Sequence, residues 1–457
     1  MTPDGLIASM EKMRAADVSE VAIASFRHYY ERLVAGETGM LPESEIEPLT
    51  DLPDADGLPE VDPSRALDQA VILKVNGGLG TSMGMTRAKS LLEVSDGHTF
   101  LDIVARQVLG LRRRTGARLP LVLMNSFRTQ GDSLAALERH DGLESDVPFD
   151  FLQNKEPKVR VDDLQPVEWP ADPDLEWCPP GHGDVYTALV TSGMLDTLLE
   201  RDYRYAFLSN SDNLGAVLDP RVLAWFASER IPFLSEVCDR TEADKKGGHL
   251  ACRKDGGGLV LRETAQTPED DVAAFQDVDR HPYFNCNNLW IDLQALQAAL
   301  IERDNVLGLP MIVNSKTVDP SDKTSPAVYQ LETAMGAAID VFSGARALRV
   351  PRRRFLPVKT TNDLLVMRSD AYELSDQGAM ELASARDGRA PLVFLDEEFF
   401  KLVGPFDARL PAGPPSLEAC DRLTVRGDVT FGCRVVCRGS VVIEGPLRVE
   451  DGAILEG

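Results

Sequence analysis

The run Lys74-Val75-Asn76-Gly77-Gly78-Leu79-Gly80-Thr81-Ser82-Met83-Gly84-Met85-Thr86-Arg87-Ala88-Lys89-Ser90 follows the apolar residues Ala70 to Leu73. It reads as a strand that runs out into a glycine-rich loop, then hydroxyls, then a lysine. Glycine lets backbone N–H groups approach an anion with no side chain in the way. The lysine adds a compact positive charge. A phosphate cradle at the carboxyl end of a strand is where open α/β sheets hold ligands. A glycine-rich surface turn is the plain alternative, and the length of the motif argues against it. Two common phosphate-loop spellings do not fit. The Walker pattern needs Gly before Lys-Ser, and here Ala88 precedes Lys89. The dinucleotide pattern begins at Gly78 and Gly80 but meets Met83 where its third glycine belongs.

Outward from this loop the chain alternates strand-like and helix-like segments. Leu101 to Arg114 suits a helix, Pro120 to Met124 a strand, Asp132 to Arg139 a helix, and Tyr205 to Leu208 a strand. Such alternation predicts a doubly wound α/β sheet over about residues 61–388, with polar residues at strand ends. Residues 1–60 read as a helical lead-in and a connector. Ala22, Phe26, Tyr29, Tyr30 and Leu33 share one helical face, Gly36 and Gly39 end it, and the Pro-rich acidic stretch from Pro42 to Pro63 reads as extended. That aromatic face reads as packing. The third part, residues 389–457, is different. From Leu423 apolar residues recur every six positions, at Leu423, Val429, Val435, Val441, Leu447 and Ala453. A second series follows two residues behind, at Val425, Phe431, Cys437, Ile443, Val449 and Leu455. Hexad periodicity of this kind predicts a parallel β-helix. Such a coil cannot bury its ends alone, so it should dock on the main domain, on another subunit, or on both.

With 457 residues the chain has room for two or three domains. The formal net charge of −25 argues against nucleic acid or an anionic membrane as the main partner. No apolar run is long enough to span a bilayer, and the first residues lack the features of a signal peptide. The seven cysteines are dispersed with no Cys-x-x-Cys, which favours free thiols in a reducing cytosol over disulfides or structural zinc.

Four further stretches carry candidate chemistry. Pro179-Pro180-Gly181-His182-Gly183-Asp184 presents an imidazole between two glycines, either to a ligand or to solvent. Ser209-Asn210-Ser211-Asp212-Asn213-Leu214-Gly215 ends an apolar strand. A carboxylate there can hold Mg²⁺, which takes one or two carboxylates and completes its shell with phosphate oxygens and water. The same spelling also suits an Asx-turn. Phe284-Asn285-Cys286-Asn287-Asn288-Leu289-Trp290 concentrates amides, which suit sugar hydroxyls, and alternation would put Asn285 and Asn287 on one face of an extended segment. Arg352-Arg353-Arg354-Phe355-Leu356-Pro357-Val358-Lys359-Thr360 is the strongest basic cluster in an acidic chain. Such runs are usually solvated, but Lys359 follows four apolar residues.

As a set these motifs resemble those of the UTP–glucose-1-phosphate uridylyltransferases of the eukaryotic type. The resemblance includes Asn125-Ser126-Phe127, Phe151-Leu152-Gln153, Lys246-Gly247-Gly248 and Gln330-Leu331-Glu332-Thr333-Ala334, and runs in order from about residue 70 to 370 and on through the hexads. It implies a doubly wound mixed sheet, Rossmann-like and of the GT-A-like nucleotidyltransferase kind, with a left-handed parallel β-helix behind it. It implies transfer of UMP from UTP to glucose 1-phosphate, giving UDP-glucose and pyrophosphate with Mg²⁺ as cofactor. By the same resemblance Val75, Asn76, Gly77, Gly78, Gln153 and Gly181 bind the nucleotide. His182, Asn210, Asn285 and Asn287 seat the sugar phosphate. Lys89, Lys359 and the metal ligand Asp212 are catalytic, with both lysines on the phosphates. Two alternatives are a uridylyltransferase for other sugar 1-phosphates, such as N-acetylhexosamine 1-phosphate, and a non-catalytic UDP-sugar-binding scaffold. The scaffold should lack one of Lys89, Asp212 or Lys359, and all three are present. Three departures stand out. Arg87-Ala88 replaces the family's usual Gly-Pro, Leu152 replaces a proline, and Cys286 replaces a threonine expected to face away from the ligand. The chain also stops soon after the hexads, where many relatives continue into a tail that builds octamers. Its assembly is therefore expected to differ or stay small, and homo-oligomers would form through the coil.

Overall fold

A computed structural model describes residues 4–457. Ten strands form the main sheet. In chain order they are β1 (Ile46–Pro48), β2 (Ala70–Asn76), β3 (Leu121–Asn125), β4 (Asp150–Leu152), β5 (Tyr205–Asn210), β6 (Phe233–Asp239), β7 (His249–Arg253), β8 (Leu259–Arg262), β9 (Tyr283–Asp292) and β10 (Arg346–Arg349). The spatial order is β1-β7-β9-β5-β2-β3-β4, with β8 on β7 and β6 between β9 and β10. Strands β5, β2, β3 and β4 run parallel, and β9 is antiparallel to β5 and β6. The sheet is therefore mixed.

Near-continuous apolar runs mark strands buried on both faces. Alternation divides their side chains between two cores. Ile72, Leu121, Leu123 and Phe207 enter one, where they meet Phe100 to Leu111 and Phe226. Val71, Leu73, Val122, Ala206 and Leu208 enter the other, against Val185 to Leu198 and Leu293 to Leu300. Helices cover both faces, as the alternating sequence predicts. The helix after the glycine loop, α1 (Phe100–Thr115), shows why its ends fall where they do. Thr99 and Asp102 form a capping box, Arg112, Arg113 and Arg114 sit in the last turn, and Gly116 closes it at φ +72°.

The lead-in is helical at Asp4–Ala15 and Glu20–Val34. Phe26, Tyr29 and Tyr30 pack with Val159, Met311 and Leu331, so the aromatic face serves packing. The connector does more than extend. Its residues Ile46–Pro48 become an edge strand on β7. Glu43 just before them accepts from the Arg262 and Arg280 guanidiniums and pairs with His281.

Beyond residue 388 all strand pairing is parallel. β11 (Leu392–Leu395) pairs with β12 (Cys420–Arg426), β12 with β14 (Val436–Glu444), β13 (Val429–Phe431) with β15 (Leu447–Val449), and β14 with β16 (Ile454–Glu456). Leu423 faces Val441, Val429 faces Leu447, and Val436 faces Ile454. Successive coils carry a charge ladder at the same spacing, Arg426 to Glu444 and Arg438 to Glu456, each 18 residues apart. Eighteen residues are three hexads. Both hexad series point inward through Ile443, and their residues join the first sheet core. Leu447 departs from the pattern at 48% exposed, whereas Val449 in the same strand is buried.

Candidate active site

The parallel strands deliver their carboxyl ends to one edge of the sheet. The glycine loop leaves β2 there, the Ser126 loop leaves β3, and the Asp212 loop leaves β5. Antiparallel β9 brings Asn285 and Asn287 to the same edge from its amino-terminal end.

The centre is an ion pair. The Lys89 Nζ donates to Asp212 Oδ2 at 2.6 Å, and both side chains are partly exposed. Lys89 is bent back over its own loop. Its N–H donates to the Gly78 carbonyl at 3.0 Å, and a Cβ on Gly80 would stand 3.3 Å from Lys89 Cγ. Lys359 approaches from the other side. Val358 N–H donates to the Asp212 carbonyl at 3.4 Å, so the two segments are joined next to both charged side chains. The Lys359 ammonium lies 5.5 Å from the Phe284 ring centre and 5.6 Å from that of Phe355, in cation–π range.

Beneath these residues lies a buried polar knot. Asn213 Oδ1 accepts from Leu356 N–H at 2.8 Å and Gly215 N–H at 3.2 Å. Its Nδ2 donates to Asn288 Oδ1 and to the Arg354 carbonyl. Asn288 Nδ2 donates to Glu236, as does the Trp290 indole. The Arg354 guanidinium closes the knot with two bonds to Glu236, at 2.8 and 2.6 Å. A Cβ on Gly215 would stand 2.5 Å from the Arg353 carbonyl, so only glycine allows this approach. Lys74 crosses from central strand β2. It is fully buried and donates to Ser209 Oγ at 2.7 Å and the Ala216 carbonyl at 2.8 Å. Burial, helped by the Arg354 charge, pushes its ammonium down to about 7. The knot thus joins the Asp212 loop, β9 and the Lys359 segment.

Beside the glycine loop a cavity of about 320 Å³ lies between Gly77, Ser126, Gln153, Trp177 and Pro179. A Cβ on Gly77 would stand 2.7 Å from Gln153 Oε1, so the amide and the loop backbone face each other closely. Gln153 N–H donates to the Asn125 carbonyl, which fixes its strand end. Val75 and Asn76 are already engaged. The Val75 carbonyl takes the Ser211 N–H, and Asn76 Nδ2 donates to Asn125 and Ser133 inside the protein. They set the loop's exit, and their side chains do not line this cavity. Gly181, at φ +79°, packs against the strand that carries the Gln330 to Ala334 match, with Thr333 N–H donating to the Pro180 carbonyl.

His182 has a fixed tautomer. Met335 N–H donates to its Nδ1 at 2.9 Å, so the ring proton is on Nε2. Burial pushes its pKa down to about 4, and the imidazole is a neutral donor at pH 7. Asp184 next in the loop accepts from Asn154 N–H and Nδ2, which ties this loop to Gln153's neighbour. Asn285 Nδ2 donates to Asn287 Oδ1 at 3.0 Å, so the two amides are brought together. Simple alternation is not the reason. The β6–β9 register shifts here and Asn287 stands at φ +53°, a bulge that re-aims its side chain. Cys286 is buried away from this face. Asn210 sits at the end of β5 with its carbonyl accepting Asn213 N–H.

One group was missed from the sequence. Glu263 stands beside Gly248, where a Cβ would come within 2.6 Å of its carboxylate. Burial raises its pKa to about 7, partly offset by the Lys359 ammonium. The signal was the Lys246-Gly247-Gly248 match. Gly247 makes room for the Phe284 ring and Gly248 for Glu263. The Arg87-Ala88 departure leaves the backbone unchanged in kind. Ala88 has φ −52°, within the range a proline would impose.

The model of the UTP–glucose-1-phosphate uridylyltransferase family matches residues 23–438. A protein of that name from Hordeum vulgare is 38% identical over 465 residues, covering 99% of this chain and 95% of its own. The Saccharomyces cerevisiae protein of the same name is 41% identical over 395 residues, covering 85% of this chain and 77% of its own. Among solved structures, a mutant UDP-glucose pyrophosphorylase from Leishmania major in complex with UDP-glucose has a TM-score of 0.94 at 45% identity, covering 100% of this chain and 99% of that one. A match extending through nearly the whole chain in both sequence and fold leaves one conclusion: the chain belongs to the UTP–glucose-1-phosphate uridylyltransferase family.

Proposed function

We propose that the protein transfers UMP from UTP to glucose 1-phosphate, with release of pyrophosphate. The observation that carries this is the joining of Lys89, Asp212 and the Lys359 segment at one sheet edge, between an amide-lined nucleotide cavity and a cluster of sugar-suited amides. An oxygen of the sugar phosphate attacks the α-phosphorus of UTP in line. The new P–O bond forms as the bond to the β-phosphate oxygen breaks, and pyrophosphate leaves with that electron pair. The nucleophile is already an anion, so no general base and no covalent enzyme intermediate is needed. The protein's task is to hold two anions in register and offset their charge.

Gly77, Gly78, Gln153 and Gly181 hold the uridine. His182 donates its Nε2–H to the sugar phosphate as a neutral group, and Asn210, Asn285 and Asn287 orient the sugar. Lys89 and Lys359 draw the phosphoryl oxygens from opposite sides. Asp212 suits Mg²⁺. Among the described residues no three His, Cys, Asp or Glu side chains converge. A single carboxylate fits an ion whose shell is otherwise phosphate and water. Mg²⁺ held by Asp212 would supply charge neutralisation at the phosphates, with the Lys89 ammonium beside it as a second positive charge.

The organisation proposed is 1–60 lead-in, 61–388 catalytic domain and 389–457 a left-handed parallel β-helix, supported by the 18-residue parallel offset. Self-association through that coil, where Leu447 and Ile454 are exposed, is part of the same proposal. Seven unpaired thiols support a cytoplasmic location, and no described helix is long and apolar enough to cross a membrane. The test is pyrophosphate release from UTP with a panel of sugar 1-phosphates, with and without Mg²⁺. Turnover with glucose 1-phosphate, dependent on Mg²⁺, is expected. Preference for an N-acetylhexosamine 1-phosphate would overturn the sugar assignment, and no turnover with any sugar would overturn the reaction.

A further inference from the structure

A second cavity, of about 200 Å³, lies on the far side of Lys359. Ser82 of the glycine loop, Lys359, Thr360 and Thr361 form part of its wall, and Glu397 and Lys401 face them from the C-terminal part of the chain. These last two belong to the segment that leads into the C-terminal coils, at either end of the short helix Glu397–Phe400. Two contacts hold the segment in place. Asn362 Oδ1 accepts from Leu395 N–H at 2.9 Å, and Leu402 packs on Gly84, where a Cβ would stand 3.2 Å from its Cδ2. Lys89 is paired with Asp212, but neither Lys359 nor Lys401 forms an ion pair among the described residues. In a chain of net charge −25, two unpaired lysines facing one cavity concentrate positive potential locally.

The position matters as much as the charge. The cavity starts at Lys359, whose segment is bonded to the Asp212 loop, and extends along the glycine loop. None of His182, Asn210, Asn285 or Asn287 lines it. In-line transfer needs the leaving group opposite the attacking oxygen. The sugar amides and this cavity supply two such separate sides. At about 30 Å³ per displaced water, it has room for two phosphoryl groups.

Building on the uridylyltransferase reading, we propose that Lys401 and Glu397 of the C-terminal segment extend the phosphate end of the site through this cavity and act on the leaving diphosphate. Lys401 is the third cation of the site. Glu397 opposes it and keeps the product from being held too tightly. The C-terminal segment thereby becomes part of the active site.

The test runs the reaction in reverse, with UDP-glucose and pyrophosphate. Lys401→Met raises the KM for pyrophosphate about tenfold while the KM for UDP-glucose stays within about twofold. Lys401→Arg restores it, and Glu397→Gln lowers it. Both side chains are exposed at the cavity wall, so the variants keep the fold. Pyrophosphate KM values within about twofold of the parent protein in both Lys401→Met and Glu397→Gln would overturn the proposal and leave the reaction intact. A parent protein that does not consume UDP-glucose with pyrophosphate would instead overturn the uridylyltransferase reading itself.

Discussion

Arg354 and Lys359 lie five residues apart on one segment and use their charges in opposite ways. Arg354 is 8% exposed and gives two hydrogen bonds to Glu236, which is 0% exposed. Lys359 is exposed, rests over two aromatic rings and has no carboxylate partner among the described residues. The difference separates two jobs. A paired buried charge fixes geometry, because removing one partner leaves the other uncompensated. An unpaired charge at the mouth keeps its attraction for an incoming anion. The floor of the site holds Asp212, β9 and the Lys359 segment in register, and the mouth carries the charge without a carboxylate partner.

The largest effect is expected at the floor. Arg354→Met is expected to lower unfolding stability by about 3–5 kcal/mol in urea, since Glu236 is left charged and buried. Lys359→Met and Lys401→Met should change it by no more than about 0.5 kcal/mol. Equal losses at floor and mouth would erase the distinction. Asn213→Ala follows, at about 1–3 kcal/mol, because Leu356 N–H and Gly215 N–H lose their acceptor. Its sharper readout is kcat. If Asn213 acts by placing Lys359, the kcat loss disappears when Lys359 is already alanine. Simple addition of the two losses would make Asn213 merely structural. The smallest effect is a pH slope. The folded-state pKa of Lys74 is lowered to about 7, so between that and its unfolded value near 10 the unfolded chain binds more protons. Its contribution to stability is therefore complete above about pH 10 and lost as pH falls through about 7. Urea midpoints of the parent protein minus those of Lys74→Met should rise across that window. A flat difference would show that Lys74 stays charged in the fold.

Much of this was legible in the residues. The glycine loop, the strand ends at Asn125 and Asn210 with Asp212 just beyond, and the helix over Leu101 to Arg114 followed from local patterns. So did the six-residue period, since burial repeats with sequence there. The knot was not legible. Glu236 lies in a plain apolar strand, and only the meeting of β6, β9 and the Arg354 segment gives it partners. Asn285 and Asn287 were rightly placed together but for the wrong reason, because a bulge is invisible to alternation. The connector's edge strand was missed because Ile46–Pro48 contains a proline and only three residues. Asn76 read as a nucleotide-binding residue, and its Nδ2 is taken up inside the protein by Asn125 of β3 and Ser133 of the helix Gln130–Leu137, a meeting that sequence spacing does not show.

On the proposed assignment Lys359 acts on the reacting phosphates and does not hold the fold. Single-turnover transfer from UTP, measured with Lys359→Ala at saturating glucose 1-phosphate, tests it most directly. The rate should fall by about 10²–10³, with glucose 1-phosphate affinity changed by less than about threefold. A single-turnover rate within about twofold of the parent protein would contradict the account.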